Sequence, residues 1–186
     1  MSVADVFLQI TGALTAAGIP YMLAGSFAST YYGAPRSTRD IDLVIEATRE
    51  QLTDFVQQLA SENYYAELSA ALDALRQESM FNVIDMASGW KIDLIIRKPR
   101  AFSREEFGRR QLVTLQDLSL FVASAEDVII SKLEWSKLSQ SQRQIEDVSA
   151  ILRIRGQALD QEYLAKWIAE LQLESEWRDA QRAANL

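Results

Sequence analysis

The chain has 186 residues, 48% of them apolar, enough for one domain or one domain with an appended helical lobe. Its formal charge of −7 argues against a general nucleic-acid coat protein. It contains neither cysteine nor histidine, which excludes disulfide frameworks, Ser-His-Asp and Cys-His nucleophiles, and thiolate or imidazole metal sites.

Val3, Val6, Phe7, Ile10 and Leu14 recur at helical spacing and predict a helix over 3–17, ended by Gly18-Ile19-Pro20. Residues 21–24 read as a short buried strand, Gly25-Ser26 as a turn, and 27–32 as a short helix stopped by Gly33-Ala34-Pro35. Residues 41–45 form a β-branched strand. Helical spacing returns over 49–61, with Leu52, Phe55, Val56 and Leu59 on one face, and a second helix is expected at about 65–78. The runs 80–86 and 90–96, joined by Ala87-Ser88-Gly89, read as a β-hairpin. Residues 112–115 and 119–122 are short strand candidates. From Ser124 onward the pattern is helical, over about 125–137, 142–154, 160–171 and 174–184. Strands mixed with helices, followed by helices alone, predict an α+β fold: a palm over 1–123 and a helical lobe over 124–186.

No apolar run approaches the ~20 residues needed to span a bilayer. The N-terminus lacks a basic segment before its apolar residues, and Asp5 interrupts it, so no signal peptide is read and the cytoplasm is the expected compartment.

Asp40-Ile41-Asp42 opens a strand, and the period of two puts both carboxylates on one face. Two adjacent acids repel each other and are costly to desolvate, penalties that a divalent cation relieves. An isolated D-x-D is more often a solvated strand end. Asp93, however, lies in Trp90–Ile96, a segment that otherwise reads as buried, and needs a partner there. If its strand lies beside that of Asp40 and Asp42, three carboxylates converge, enough for one or two ions of the hard, oxygen-preferring kind, Mg2+ or Mn2+. Gly25-Ser26 follows a strand and opens a helix, so backbone N–H groups and the helix dipole favour a phosphate there, although an ordinary turn and N-cap explain the pair as simply.

Gly25-Ser26, thirteen intervening residues, Asp40-x-Asp42 and a later strand Asp together resemble the signature of the DNA polymerase β nucleotidyltransferase superfamily. The resemblance runs through LAGSFASTYYGAPRSTRDIDLVIE and KIDLI. SAEDVIISKLEW and RQIEDVSAIL further resemble the AbiEii-like prokaryotic branch, some members of which are toxins. It implies a nucleotidyltransferase palm, a mixed sheet flanked by helices. Asp40, Asp42 and Asp93 would hold Mg2+ or Mn2+, Asp93 would assist deprotonation of the acceptor, and Gly25 and Ser26 would hold the triphosphate. The implied reaction moves an NMP from an NTP to an acceptor hydroxyl on RNA, protein or a small molecule, releasing pyrophosphate. A cognate toxin or antitoxin is an implied partner. The alternative is a non-catalytic nucleotide- or partner-binding regulator on the same fold.

Lys132 stands at the edge of its helix's apolar face, where a salt bridge to Asp147 explains it as well as triphosphate binding does. The AbiEii resemblance assigns Lys132 and Asp147 to nucleotide binding. Arg36 and Arg39 are loop candidates for phosphate, though solvated loop arginines are commoner. Arg97, Lys98, Arg100, Arg104, Arg109 and Arg110 form a basic stretch, with Phe102 and Phe107 as candidate stacking groups for a nucleic-acid acceptor. A solvated helix face is the plainer account. Trp135, Trp167 and Trp177 fall in helical patterns as core or interface residues.

Overall fold

The computed structural model describes residues 2–59, 63–115 and 118–186. In chain order the elements are α1 (Val3–Ala16), β1 (Tyr21–Leu23), α2 (Gly25–Tyr32), β2 (Asp40–Ile45), α3 (Arg49–Leu59), β3 (Tyr64–Ala66), α4 (Leu68–Gln77), β4 (Met80–Asp85) and β5 (Lys91–Ile96). They continue with α5 (Ala101–Gly108), β6 (Gln111–Leu115), β7 (Leu118–Val122), α6 (Ala125–Ser139), α7 (Gln142–Arg155), a 3-10 turn at Gly156–Ala158, α8 (Gln161–Glu170) and α9 (Glu174–Ala184). The chain is α+β, and it divides into two compact units, Met1–Leu23 with Thr38–Val122 and Ala24–Ser37 with Ala123–Leu186.

The first unit is built on a sheet of order β3-β4-β5-β2-β1-β7-β6. The β2–β5 and β1–β7 pairs are parallel and the others antiparallel. Alternation along the central strands gives β2 and β5 an apolar face, Ile41, Leu43 and Ile45 with Ile92, Leu94 and Ile96, and Phe81 and Val83 of β4 continue it; all are buried. α4 packs on β4 and β5, and α3 links α4 to α1. Leu52, Phe55, Val56 and Leu59, the apolar face expected of α3, are buried, with Phe55 at 0% exposure.

Local chemistry fixes the ends of these helices. Ser2 and Asp5 form a reciprocal capping box on α1, the Asp5 N–H donating to Ser2 Oγ and the Ser2 N–H to Asp5 Oδ2. Thr48 and Gln51 repeat the device before α3, and the Gln51 amide also donates to the Gly18 carbonyl at 2.7 Å. Gly18 has φ +67°, a conformation glycine adopts without a Cβ penalty, and so closes α1.

Two elements differ from expectation. The helix foreseen over 65–78 is shortened by strand β3, and α4 begins at Leu68. Three residues are too few to carry a period, and what defines β3 is its antiparallel pairing with β4, Tyr64 opposite Asp85. The basic stretch contains α5, whose buried Phe102, Ser103, Glu106 and Phe107 share one helix face. Residues 60 and 61, included in the helix expected over 49–61, lie outside the described residues.

The hairpin between β4 and β5 is set by Asp85, which is fully buried. Its carboxylate accepts the Ala87 N–H and the Ser88 N–H, both at 3.2 Å, and the Ser88 hydroxyl. Gly89 completes the turn at φ +74°.

In the second unit α2, α6 and α7 pack on one another, α9 packs on α7, and α8 on α6. Ser124 caps α6 by accepting the Asp127 N–H, and its hydroxyl donates to Asp127 Oδ2 at 2.6 Å. The Tyr163 hydroxyl from α8 donates to the other oxygen of this fully buried carboxylate at 2.6 Å. α2 and α7 meet at Gly33. A Cβ there would stand 3.1 Å from Ile151 Cγ1 and 3.2 Å from the Ile151 backbone nitrogen, so the helices approach closely at this glycine. Among the described residues no helix is long and apolar enough to cross a membrane.

Candidate functional site

In the first unit, β2 and β5 run parallel in a register that sets Asp42 opposite Asp93 and Asp40 opposite Lys91. Register partners on neighbouring strands share a face, and so do residues two apart. Asp40, Asp42, Lys91 and Asp93 therefore occupy the face opposite the apolar one. β4 brings Asn82 opposite Asp93 from the other side.

These side chains form a connected network. The Lys91 ammonium lies 3.0 Å from Asp93 Oδ2 and 3.6 Å from Asp40 Oδ1, so one cation bridges carboxylates of two strands. The Asn82 amide donates to Asp93 Oδ1. Both oxygens of Asp93 are thus engaged, as a side chain at 8% exposure requires. Asp40 is more open, its side chain 55% exposed, with its backbone N–H donating to Thr38 Oγ1 at 3.2 Å. The hydrogen bond from Lys91 to Asp93 is the main cause that raises the lysine pKa above its ordinary value; burial opposes it, and the nearby charges of Asp93 and Asp40 add to the rise. Lys91 is held as an ammonium.

Asp40, Asp42 and Asp93 are the three carboxylates that this register brings to one face of β2 and β5. Among the described residues, no three acidic side chains stand together in the geometry of a metal cage.

The second unit gathers a different set. α2 begins at Gly25, with Ala24 as N-cap and no side-chain cap bond, so Ser26 belongs to the first turn and is not the cap. Gly25 has φ +58°, a strained conformation for any residue with a Cβ. Three residues beyond the Gly33 contact, Arg36 donates from Nε to the Asp147 carboxylate at 3.2 Å and from Nη2 to Ser26 Oγ. Lys132 of α6 donates to Asp147 Oδ2 at 2.7 Å and to Gln144 Oε1 at 3.0 Å. The Ser29 hydroxyl lies 3.5 Å from Asp147 Oδ2. Two cations thus share one carboxylate, with side-chain exposures of 5% for Lys132, 10% for Asp147 and 25% for Arg36. The anticipated Lys132–Asp147 salt bridge is present.

Gly25, Ser26, Arg36, Lys132 and Asp147 therefore lie in one unit, and Arg39, Asp40, Asp42 and Asp93 in the other. Arg39 is exposed, and its carbonyl accepts the Lys91 N–H at 3.3 Å. The sequence reading did not single out Lys91, Asn82, Ser29 or Gln144. Lys91 was within reach of the period-two argument applied to Asp93, but Asn82 becomes a partner only through strand register.

The basic stretch is occupied locally. Arg97 pairs with Glu46 at 2.6 Å, Arg104 donates to the Pro99 carbonyl at 2.6 Å, and Arg110 stacks 4.4 Å from the Phe107 ring centre. Phe102 and Phe107 are 1% and 4% exposed, so they are core residues and offer no stacking face to a base. Trp167 is buried and Trp135 exposed.

No family model matches the chain, and no curated protein matches it at a significant level. Solved structures do match. The solution structure of the antibiotic-resistance factor ANT(2″)-Ia aligns with TM-score 0.57 and 14% identity over 96% of both chains. The crystal structure of ANT(2″)-Ia in complex with adenylyl-2″-tobramycin aligns with TM-score 0.59 and 13% identity, over 95% of this chain and 99% of that one. A nucleotidyltransferase-like antigenic protein from Paracoccidioides brasiliensis aligns with TM-score 0.53 and 15% identity, over 98% and 91%. At such identities the common property is the fold, and the chain shares the α+β architecture of these nucleotidyltransferase and nucleotidyltransferase-like structures.

Proposed function

We propose that the protein transfers a nucleoside monophosphate from an NTP to an acceptor hydroxyl, with Mg2+ or Mn2+ held by Asp40, Asp42 and Asp93. The observation that carries the reading is the β2–β5 register, which sets Asp42 beside Asp93 with Asp40 on the same face, in a fold shared with nucleotidyltransferases. The donor chemistry fits the ion: these are hard carboxylate oxygens, and two of them already share a cation. A bound divalent ion would supply charge stabilisation to the attacking and leaving oxygens.

The chain's own residues do the rest. Asp93 accepts the proton of the acceptor hydroxyl, whose oxygen attacks the α-phosphorus. The new P–O bond replaces the bond to the β-phosphate, and pyrophosphate leaves with that electron pair. Gly25 and Ser26 suit the triphosphate, because the first helical turn carries backbone N–H groups without intrahelical partners and Ser26 adds a hydroxyl. Arg36 and Lys132 supply positive charge, Asp147 positions both, and Arg39 supplies an exposed guanidinium. Catalysis of this kind is mostly positioning and electrostatics, which needs no histidine.

The acceptor is an RNA end, a protein hydroxyl or a small molecule; the adenylyl-tobramycin bound to ANT(2″)-Ia makes aminoglycosides the first small molecules to try. An AbiEii-like toxin with a cognate antitoxin is the finer reading, supported by the resemblance of SAEDVIISKLEW and RQIEDVSAIL.

The test is label transfer: protein, Mg2+ and each α-labelled NTP in turn, with host lysate or aminoglycosides as acceptors. Label should enter a discrete product with the wild type and not with Asp40→Ala or Asp42→Ala, both remaining folded. Turnover unchanged in either variant would refute the metal assignment. NTP binding without transfer to any acceptor would favour the non-catalytic regulator.

A further inference from the structure

We infer that Lys91 is a built-in counter-cation of the acidic face: its ammonium holds Asp40 and Asp93 in the metal-free protein and competes with a divalent ion for the same oxygens, setting the affinity of the site. The inference rests on the metal-binding reading of Asp40, Asp42 and Asp93 above.

Three observations carry it. Lys91 is not an ordinary surface ion-pair partner, because one ammonium is shared by carboxylates on two strands, at 3.0 Å from Asp93 and 3.6 Å from Asp40. The register puts the three side chains within reach of one another, since Lys91 sits opposite Asp40 and two residues before Asp93 on the same face. Finally, Asp93 is nearly buried whereas the lysine side chain is 40% exposed. A carboxylate at 8% exposure needs a cation or donors continuously, and Asn82 satisfies only one of its oxygens. The lysine, on a flexible stem already reaching water, leaves the oxygens at little desolvation cost.

The arrangement has a two-sided consequence. Without metal, Lys91 stabilises the fold by neutralising the acids. With metal, the same charge repels the ion. A lysine that only braced the sheet would contribute to stability in both states and leave metal affinity alone.

The experiment is titration of Mn2+ and Mg2+ by calorimetry, with thermal unfolding at zero and saturating ion, on the wild type, Lys91→Met, Lys91→Arg and Asp42→Asn. Lys91→Gln serves should the methionine variant not fold. Neutralising Lys91 should tighten Mn2+ binding about tenfold, equivalent to ~1.4 kcal/mol. It should also lower the unfolding temperature of the metal-free protein, and saturating ion should close that gap. Lys91→Arg, which keeps the charge, should bind the ion as the wild type does. Unchanged or weaker binding on neutralisation, while Asp42→Asn still abolishes Mn2+ binding, overturns the counter-cation role and leaves the metal assignment standing. Absence of Mn2+ binding by both the folded wild type and the neutralised variant overturns both.

Discussion

Replacing Asp147 by alanine removes a carboxylate that Arg36 and Lys132 share at 3.2 and 2.7 Å. The Lys132 side chain is 5% exposed, so its ammonium cannot turn to bulk water without repacking α6. Breaking a buried ion pair from one side costs ~3–5 kcal/mol, chiefly as the desolvation of the stranded charge. Gln144 remains 3.0 Å from the ammonium, and Arg36 is a quarter exposed, which places the expected loss at the lower end, ~3 kcal/mol. At ~2–4 °C per kcal/mol for a chain of this size, the unfolding midpoint should fall by ~6–12 °C. Calorimetric scans of Asp147→Ala, Lys132→Met and the double variant measure it. The double variant should lose less than the sum of the singles, with a coupling of ~1–3 kcal/mol, because the lysine no longer leaves a charge behind. A loss below ~1 kcal/mol for Asp147→Ala, or strict additivity, would refute the argument that this carboxylate neutralises the buried Lys132 ammonium.

Gly33→Ala should destabilise by ~1–3 kcal/mol in urea titration, since its Cβ would meet the Ser29 carbonyl at 3.0 Å and Ile151 at 3.1 Å. Tyr32 gives a pH test. Burial pushes its hydroxyl up to about 12 from the usual 10.0, so the unfolded chain loses this proton first. Its contribution is present below pH 10 and is lost as pH rises from 10 towards about 12. Its hydroxyl is buried without a hydrogen-bond partner among the described residues, so Tyr32→Phe should be neutral or stabilising at pH 7 and flatten the alkaline stability profile. Asp85→Ala should cost ~1–3 kcal/mol by leaving the Ala87 and Ser88 amides of the hairpin without their acceptor, with earlier amide exchange across β4 and β5 as the readout.

The sequence by itself determined whatever depends on neighbours along the chain. Period two put Asp40 and Asp42 on one strand face, a 3.6 period set the buried faces of α1 and α3, and Gly18-Ile19-Pro20 and Ser124 marked helix boundaries. The absence of histidine and cysteine restricted the chemistry to carboxylates, hydroxyls, Lys and Arg before any coordinate was known. Tertiary structure alone decided the partners. That Asp42 faces Asp93, that Asn82 and Lys91 complete the Asp93 shell, and that Arg36 meets a carboxylate 111 residues away are consequences of strand register and helix packing. It also decided that residues 24–37 cluster with the C-terminal helices and that Phe102 and Phe107 are core. The physical reason is range. Dihedral preference and periodicity act over a few residues, whereas register and packing are chosen by the burial of whole faces, and a one-residue slip between β2 and β5 would reverse every inward side chain while leaving each strand's own pattern intact.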